Sequence, residues 1–181
     1  EGVFPNNYKD LLKLKGVGDY TASAIASICF NEVAAVVDGN VYRVLSRYFG
    51  ISTPINSSKG SKEFKQLAQK LIDKNNPAEF NQAIMEFGAT QCKPKNPNCN
   101  TCPFKDGCIA YNKSIIGNFP VKIKSAKAKK KYFNFLVFIS QDDKTILQKR
   151  EGKGIWQNLY QFPLVETDSD VDEKSIEMLL S

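Results

Sequence analysis

The sequence predicts a mainly α-helical part followed by an incomplete α+β domain. Apolar residues recur at helical spacing in the first 120 residues, whereas an aromatic and β-branched pattern begins at Tyr132. Between them, residues 121–131 (VKIKSAKAKKK) hold six lysines and no acidic residue, which is typical of a solvated linker. We therefore expect one domain over residues 1–120 and a second over residues 132–181.

Four helices are expected in the first part. Asp19 is a candidate N-cap of the first, Gly50 a candidate terminator of the second, and Asn76 with Pro77 and Glu79 opens the fourth. The predicted apolar faces are, in order, Ala22, Ile25, Ala26 and Cys29; Val41, Val44, Leu45 and Tyr48; Phe64, Leu67, Ala68, Leu71 and Ile72; and Phe80, Ala83, Ile84 and Phe87.

The last 50 residues read as the beginning of an α+β domain. Tyr132–Ser140 and Thr145–Arg150 are predicted strands, and Asp142-Asp143 between them is a turn signal. We expect these strands to form a hairpin. So short a segment makes a thin core, which is why the domain is predicted to be incomplete.

The composition narrows the function classes. The chain has 25 Lys and Arg against 19 Asp and Glu, a net charge of +6, which favours a polyanionic partner. It has no histidine, so Ser-His catalysis, Cys-His catalysis and histidine metal sites are excluded within it. No apolar run approaches the ~20 residues of a membrane span, and no secretory signal is evident. We expect a cytoplasmic protein that is not bound to membranes.

Four cysteines, Cys92, Cys99, Cys102 and Cys108, form a C-x6-C-x2-C-x5-C run. Four thiolates so close in sequence can hold a zinc ion or an iron–sulfur cluster, and the spacing alone does not decide between them. A disulfide-bonded loop is the alternative. Cys29, placed in an apolar helical stretch as a buried free thiol would be, and the expected reducing compartment both count against disulfides.

Residues 14–18, LKGVG, lie between two helical stretches. Gly16 and Gly18 around Val17 allow backbone N–H groups to point outward, and the following helix N-terminus adds partial positive charge. The pattern predicts a phosphate-binding hairpin that includes Lys15. An ordinary glycine turn between helices fits the short pattern equally well.

Asp38-Gly39-Asn40 follows the apolar run Val33–Val37, about twenty residues after the hairpin. The position favours a carboxylate at the edge of a core, close enough in the chain to share a cleft with the hairpin. The alternative is that Asp38 only caps the helix that begins there.

Taken together, LKGVGDYTASAIASI, VVDGNVYRVLSR and the cysteine run resemble the helix-hairpin-helix base-excision DNA glycosylases of the endonuclease III superfamily. The resemblance implies a [4Fe-4S] cluster on the four cysteines, with zinc as the alternative. Bifunctional members carry a lysine two residues after the second hairpin glycine, and this chain has Tyr20 there. GVGDYT and FNQA are instead similar to the monofunctional adenine glycosylase branch, the MutY family. GIWQNLYQFP resembles the start of the Nudix-like domain with which that branch reads 8-oxoguanine.

The resemblance implies that adenine opposite 8-oxoguanine or guanine is flipped out of double-stranded DNA and removed by hydrolysis. By the same resemblance, Asp38 stabilises the cationic sugar, Tyr20 lies beside the cleft, and Asn40 orients the site. The implied DNA contacts are Lys15, Gly16, Val17, Gly18 and Gln82. The resemblance also implies a DNA-associated bacterial protein that acts as a monomer.

The chain departs from the family pattern in three respects. It shows neither the upstream helix with the general-acid glutamate, which Glu1 does not match, nor the histidine-containing recognition loop, nor a Nudix box. We therefore expect an internal fragment, truncated at both ends and inactive alone. A bifunctional glycosylase/lyase is one alternative, which Tyr20 and Tyr42 oppose. A non-catalytic DNA-binding iron–sulfur module is another.

Overall fold

The computed structural model describes residues 2–124 and 130–180, so part of the predicted linker, residues 125–129, lies outside the described residues. The chain divides into two compact units, Glu1–Lys124 and Ser125–Ser181. Within the described ranges, no helix combines the length and apolar character needed to cross a membrane.

The first unit is helical, which confirms the mainly α part of the prediction. Its helices are α1 (Tyr8–Leu11), α2 (Asp19–Phe30), α3 (Gly39–Phe49), α4 (Ser58–Leu71), α5 (Pro77–Thr90) and α6 (Ile109–Asn112). Short 3-10 turns occupy Cys99–Thr101, Lys105–Gly107 and Ile116–Asn118. One buried cluster is formed by Ala35, Val41, Leu45, Phe64, Ala68 and Ile72, and a second by Leu11, Ala22, Ala26 and Ala34.

Helix α2 differs from its prediction at both ends. Gly18 occupies the N-cap position and Asp19 is the first helical residue, so the predicted Asp19 cap is wrong. The Asp19 carboxylate instead accepts hydrogen bonds from the Tyr8 hydroxyl and the Lys65 ammonium group. Cys29, in the last turn of α2, is exposed rather than buried, so the prediction of a buried thiol is wrong. The buried residues of α2 are Ala22, Ser23, Ala26 and Ser27.

The boundaries of α3 and α5 follow local signals. Asp38 caps α3, since its Oδ1 accepts a hydrogen bond from the Val41 amide at 2.8 Å, and Gly50 ends α3 with φ +64°. Pro77 is the first residue of α5, as predicted. Asn76 stands at its N-cap position but makes no side-chain capping hydrogen bond.

The predicted apolar face of α5 is wrong in part. Ala83 is exposed, whereas the polar Asn81 is fully buried, as is Pro77 in the first turn. A buried amide is tolerated when backbone groups satisfy it. The half-buried Phe80 and Ile84 pack against the first buried cluster, as predicted, and together with Phe87 they also line a cavity.

The second unit contains strands and a helix, but its pairing differs from the predicted hairpin. Its elements are β1 (Tyr132–Phe135), β2 (Gln148–Lys149), β3 (Tyr160–Gln161), β4 (Leu164–Thr167) and α7 (Glu173–Leu180). Strand β1 pairs antiparallel with β4, and β2 with β3. The turn at Asp142-Asp143 is present, with φ +57° at Asp143. In the described residues its two arms are joined by one β-bridge, Ile139 to Thr145, and by hydrogen bonds between Ser140 and Lys144, and they form no continuous ladder.

Side-chain contacts explain this choice of partner strands. The Asn134 amide on β1 donates to the Val165 carbonyl and to Thr167 Oγ1 on β4, each at 3.1 Å. Lys131 and Glu166 add an ion pair at 2.7 Å. Such contacts join residues more than 30 positions apart, and local strand signals do not report them.

Candidate nucleic-acid interface and active site

The hairpin between α1 and α2 presents unpaired backbone donors. The Val17 amide donates to the Leu14 carbonyl at 3.1 Å and closes a turn, and Gly16 has φ +85°, a region that favours glycine. In the described part of the chain, the amides of Gly16 and Gly18 donate no hydrogen bond. A Cβ at either glycine would meet nothing within 4 Å, so the surface is open. The arrangement can accept an anion at the start of α2.

Lys65 on α4 fastens this hairpin helix to the segment that leads to Asp38. Its Nζ donates to Asp19 Oδ2 at 2.9 Å, to Ser23 Oγ at 2.7 Å and to the Ala35 carbonyl at 2.8 Å. The Tyr8 hydroxyl donates to the other Asp19 oxygen. Burial, helped by the neighbouring Asp19 carboxylate, raises the pKa of Tyr8 to about 12, so this hydroxyl keeps its proton at neutral pH.

The extended segment Val33–Val37 is held by side-chain amides in place of a partner strand. Asn81 Oδ1 accepts from the Val36 amide at 3.0 Å, while Asn81 Nδ2 donates to the Ala34 carbonyl and to Ser27 Oγ, each at 2.9 Å. From α4, Gln69 accepts from the Ala35 amide at 2.9 Å and donates to the Val33 carbonyl at 2.7 Å. These amides fix the backbone immediately before Asp38.

The half-buried Asp38 carboxylate is held at both oxygens. Oδ1 caps α3, as described above, and Oδ2 accepts from the Asn40 amide at 2.9 Å. The alternative that Asp38 caps its helix therefore describes one oxygen only. The structure brings Asp38 and Asn40 together, as their proximity in sequence requires.

Two arginines of α3 connect Asn40 to the cysteine loop. Arg43 Nη2 donates to Asn40 Oδ1 at 2.7 Å and to the Gly88 carbonyl at 2.6 Å, while Nε donates to the Cys92 carbonyl at 2.7 Å. Arg47 Nη1 donates to the Lys93 carbonyl at 2.7 Å and lies 3.4 Å from Cys92 Sγ. Burial lowers the pKa of the Arg43 guanidinium below its usual value.

Helix α5 approaches the start of α3 closely at Gly88. A Cβ built at this buried glycine would lie 2.6 Å from Asn40 Cβ. The absent side chain therefore leaves room for Asn40 beside Asp38.

The remaining predicted contacts lie on exposed surface. Tyr20, in the first turn of α2, is 48% exposed, and Lys15 on the hairpin is also exposed. Gln82 is exposed on α5, next to the buried Asn81. Across the described residues, no hydrogen bond joins Tyr20 or Gln82 to Asp38.

The four loop cysteines line one cavity of about 520 Å³ between α3, α5 and the loop. All five cysteines of the chain are free thiols. Burial, together with the negative charge of the other three loop thiolates, raises the pKa of Cys99. One buried nitrogen on the cavity wall, Arg47 Nε, has no hydrogen-bond partner in the described part of the chain.

The four loop thiols are a donor set that two metal groups use. A zinc ion binds four thiolates in a tetrahedron with Zn–S bonds of about 2.3 Å, and a [4Fe-4S] cluster binds each thiolate to a different iron. In the described residues, no three His, Cys, Asp or Glu side chains are placed to hold a single metal ion. The shared cavity brings the four cysteines together, and their donor set suits either group.

Sequence reasoning missed Lys65, Gln69, Asn81, Arg43 and Arg47. A signal existed for the two arginines, because they lie four positions apart on one face of α3, among residues expected to be buried. Asn81 interrupts an apolar helix face, which also singles it out. The sequence gives no comparable signal for Lys65 and Gln69, since long polar side chains are usual on an exposed helix surface.

Comparisons with known proteins agree with this geometry. The helix-hairpin-helix motif family matches residues 1–28, which contain α1, the hairpin and most of α2. An adenine DNA glycosylase of Arabidopsis thaliana is 37% identical over 182 residues, covering 93% of this chain and 29% of the relative. One of Buchnera aphidicola subsp. Schizaphis graminum is 37% identical over 164 residues, covering 91% and 47%. The chain thus spans less than half the length of these curated relatives.

Solved structures and a further sequence relative are also similar to the chain. A thermostable thymine-DNA glycosylase has a TM-score of 0.57 and 38% identity, over 62% of this chain and 51% of that one. Endonuclease III in a non-covalent DNA complex has a TM-score of 0.53 and 30% identity, over 63% of this chain and 51% of that one. A rat adenine DNA glycosylase is 52% identical over 100 residues, 55% of this chain and 19% of the relative. Over more than nine-tenths of its own length the chain is similar to adenine DNA glycosylases, and its first 28 residues match the helix-hairpin-helix motif.

Proposed function

We propose that the full-length protein removes adenine mispaired with 8-oxoguanine or guanine by hydrolysing its N-glycosidic bond. The observation that carries this proposal is the Asp38 carboxylate, fixed at both oxygens by the Val41 amide and the Asn40 amide. A preorganised negative charge is what an oxocarbenium-like transition state requires. The test is release of free adenine from a duplex that carries adenine opposite 8-oxoguanine.

In this proposal each group has a distinct task. Asp38 stabilises positive charge that develops on the sugar, either electrostatically or by transient bonding to the sugar carbon, before water completes hydrolysis. Asn40 orients the Asp38 carboxylate, and Arg43 orients Asn40 through its hydrogen bond. Tyr20 and Gln82, both exposed, face the flipped nucleotide, where Gln82 can hydrogen-bond to the base edge.

The partner is double-stranded DNA, bound by the monomeric protein. The hairpin residues Lys15, Gly16, Val17 and Gly18 hold a phosphate near the flipped adenine, since open amides and a helix N-terminus favour an anion there. The basic charge of the chain supports such a partner. Exposed Lys93 and Lys95 of the cysteine loop add phosphate contacts.

We propose further that Cys92, Cys99, Cys102 and Cys108 hold a [4Fe-4S] cluster, with zinc as the alternative. The cavity shared by the four cysteines and the Arg47 donor beside Cys92 support the cluster. When bound, the cluster would supply a rigid framework for the loop rather than a step of the hydrolysis. Arg47 would then hold the loop backbone through the Lys93 and Pro94 carbonyls.

Iron analysis tests this assignment. The purified 181-residue chain is expected to contain about four irons and to absorb visible light. Cys108→Ser should remove most of the iron, since it deletes one ligand, whereas Cys29→Ser should leave the iron content unchanged because Cys29 is exposed on α2. A colourless protein with one zinc per chain would contradict the cluster.

Residues 132–181 are proposed to begin a Nudix-like domain that reads 8-oxoguanine, joined to the helical domain (residues 1–120) by the lysine-rich linker 121–131. The paired strands and α7 of the second unit support an α+β domain.

A second candidate is a bifunctional glycosylase/lyase, which the similarity to endonuclease III favours. Tyr20 opposes it, because a lyase needs an amine at this position to attack the sugar. Borohydride trapping of a covalent protein–DNA adduct would support this candidate.

A further inference from the structure

We propose that Lys65 sets the DNA affinity of the hairpin without touching DNA, by neutralising the carboxylate of Asp19 beside it. The inference rests on the proposed function, since it takes the hairpin to be the phosphate contact. Lys65 would then be a positioning residue for the charge of the interface rather than a phosphate ligand.

The negative charge of Asp19 lies next to the proposed phosphate-binding amides and opposes phosphate binding there. Asp19 directly follows Gly18 at the start of α2, and its side chain is 51% exposed. A carboxylate in the first turn favours the helix dipole, yet it repels a phosphate that approaches the same amides. For two charges roughly 6 Å apart near a protein surface, this repulsion is worth about one order of magnitude in affinity.

The surrounding side chains neutralise the charge of the Asp19 carboxylate. Lys65 forms an ion pair with Asp19 Oδ2 at 2.9 Å, although it lies on α4, 46 positions away. The Tyr8 hydroxyl donates to the other oxygen. Both oxygens of Asp19 are thus engaged by side chains of the protein.

All hydrogen-bond donors of the Lys65 ammonium group are used within the protein. Its three ammonium hydrogens are used on Asp19, Ser23 and the Ala35 carbonyl, and its side chain is only 27% exposed. Its Nζ also lies 5.4 Å from the centre of the Tyr8 ring. It therefore has no free donor for a phosphate, and its effect on DNA must pass through Asp19.

A double-mutant cycle in the full-length protein tests the inference. The dissociation constant for a short duplex carrying a stable abasic-site analogue is measured by fluorescence anisotropy for wild type, Lys65→Met, Asp19→Asn and the double variant. Lys65→Met should weaken binding about tenfold, because Asp19 is then unmasked. Asp19→Asn should bind as tightly as wild type or more tightly. The double variant should return to within about threefold of wild type.

Two controls separate charge masking from other causes. Lys70→Met removes a positive charge from an exposed position of the same helix and should change affinity less than about threefold. The effect of Lys65→Met should also shrink at high salt, as an electrostatic effect must. If Lys65→Met does not fold, Lys65→Gln, which keeps an N–H donor without the charge, takes its place.

The outcomes are distinct. An unchanged affinity in Lys65→Met, or a double variant as weak as Lys65→Met, would overturn the inference, since a purely structural lysine is not rescued by Asp19→Asn. Gly16→Val distorts the hairpin itself. If Gly16→Val leaves affinity unchanged, the hairpin is not the phosphate contact and the proposed DNA site fails. If only Gly16→Val weakens binding, the site stands and the masking does not.

Discussion

Replacing Asp38 by asparagine is expected to lower the single-turnover rate of adenine excision by the full-length protein about 10³-fold, with DNA affinity equal or higher. The lost charge is the one that would stabilise the cationic sugar, and removing one preorganised electrostatic group costs on the order of 10²–10³ in rate. Asparagine caps helices as well as aspartate does, so α3 should keep its start. Rate and affinity are measured on the same duplex.

Two matched variants separate chemistry from capping. Asp38→Ala removes the charge and the cap, and should add about 1 kcal/mol of destabilisation to the loss of activity. Ser57→Ala removes the cap of α4, where Ser57 Oγ accepts from the Gly60 amide at 3.0 Å, and a hydrogen bond to the Pro54 carbonyl, and should leave the rate unchanged. Excision by Asp38→Asn at a near wild-type rate would show that Asp38 is only a capping residue.

Asn81→Ala is expected to destabilise the helical unit by about 3 kcal/mol. The change leaves the buried Val36 amide and Ala34 carbonyl without their hydrogen-bond partner. Each unsatisfied buried group costs ~1–3 kcal/mol of stability. Urea unfolding of the 181-residue chain, followed by helical circular dichroism, reports mainly this unit.

The neighbouring Gln82 provides the matched control. Gln82→Ala alters an exposed side chain and should change the free energy of unfolding by less than about 0.5 kcal/mol, while it lowers adenine excision by the full-length protein. Equal stability losses in the two variants would contradict the clamping role of Asn81. An unimpaired rate in Gln82→Ala would remove Gln82 from the proposed site.

The sequence predicted those helix boundaries and contacts that depend only on residues close together in the chain. Gly50 ends α3 because its left-handed conformation suits glycine, and Pro77 begins α5 because a first-turn residue needs no amide donor. Asp38 and Asn40 meet because they are two residues apart. None of these features needs knowledge of distant contacts.

The scaffold of the site depends on distant contacts and was not predictable in this way. Asn81 reaches Ser27 across 54 positions, and Lys65 reaches Asp19 across 46. Each is a polar side chain whose partner is fixed only when helices pack. The pairing of β1 with β4 has the same origin, since Asn134 selects a strand some 30 residues away.

Product analysis with the full-length protein tests the central proposal most directly. Duplexes carrying adenine opposite 8-oxoguanine, adenine opposite guanine, and thymine opposite guanine are incubated with excess protein, and the released base and the state of the strand are recorded. We predict free adenine from the first two duplexes, with each strand intact until alkali is added. Release of thymine, or strand cleavage without alkali, would contradict assignment of this chain to a monofunctional adenine glycosylase.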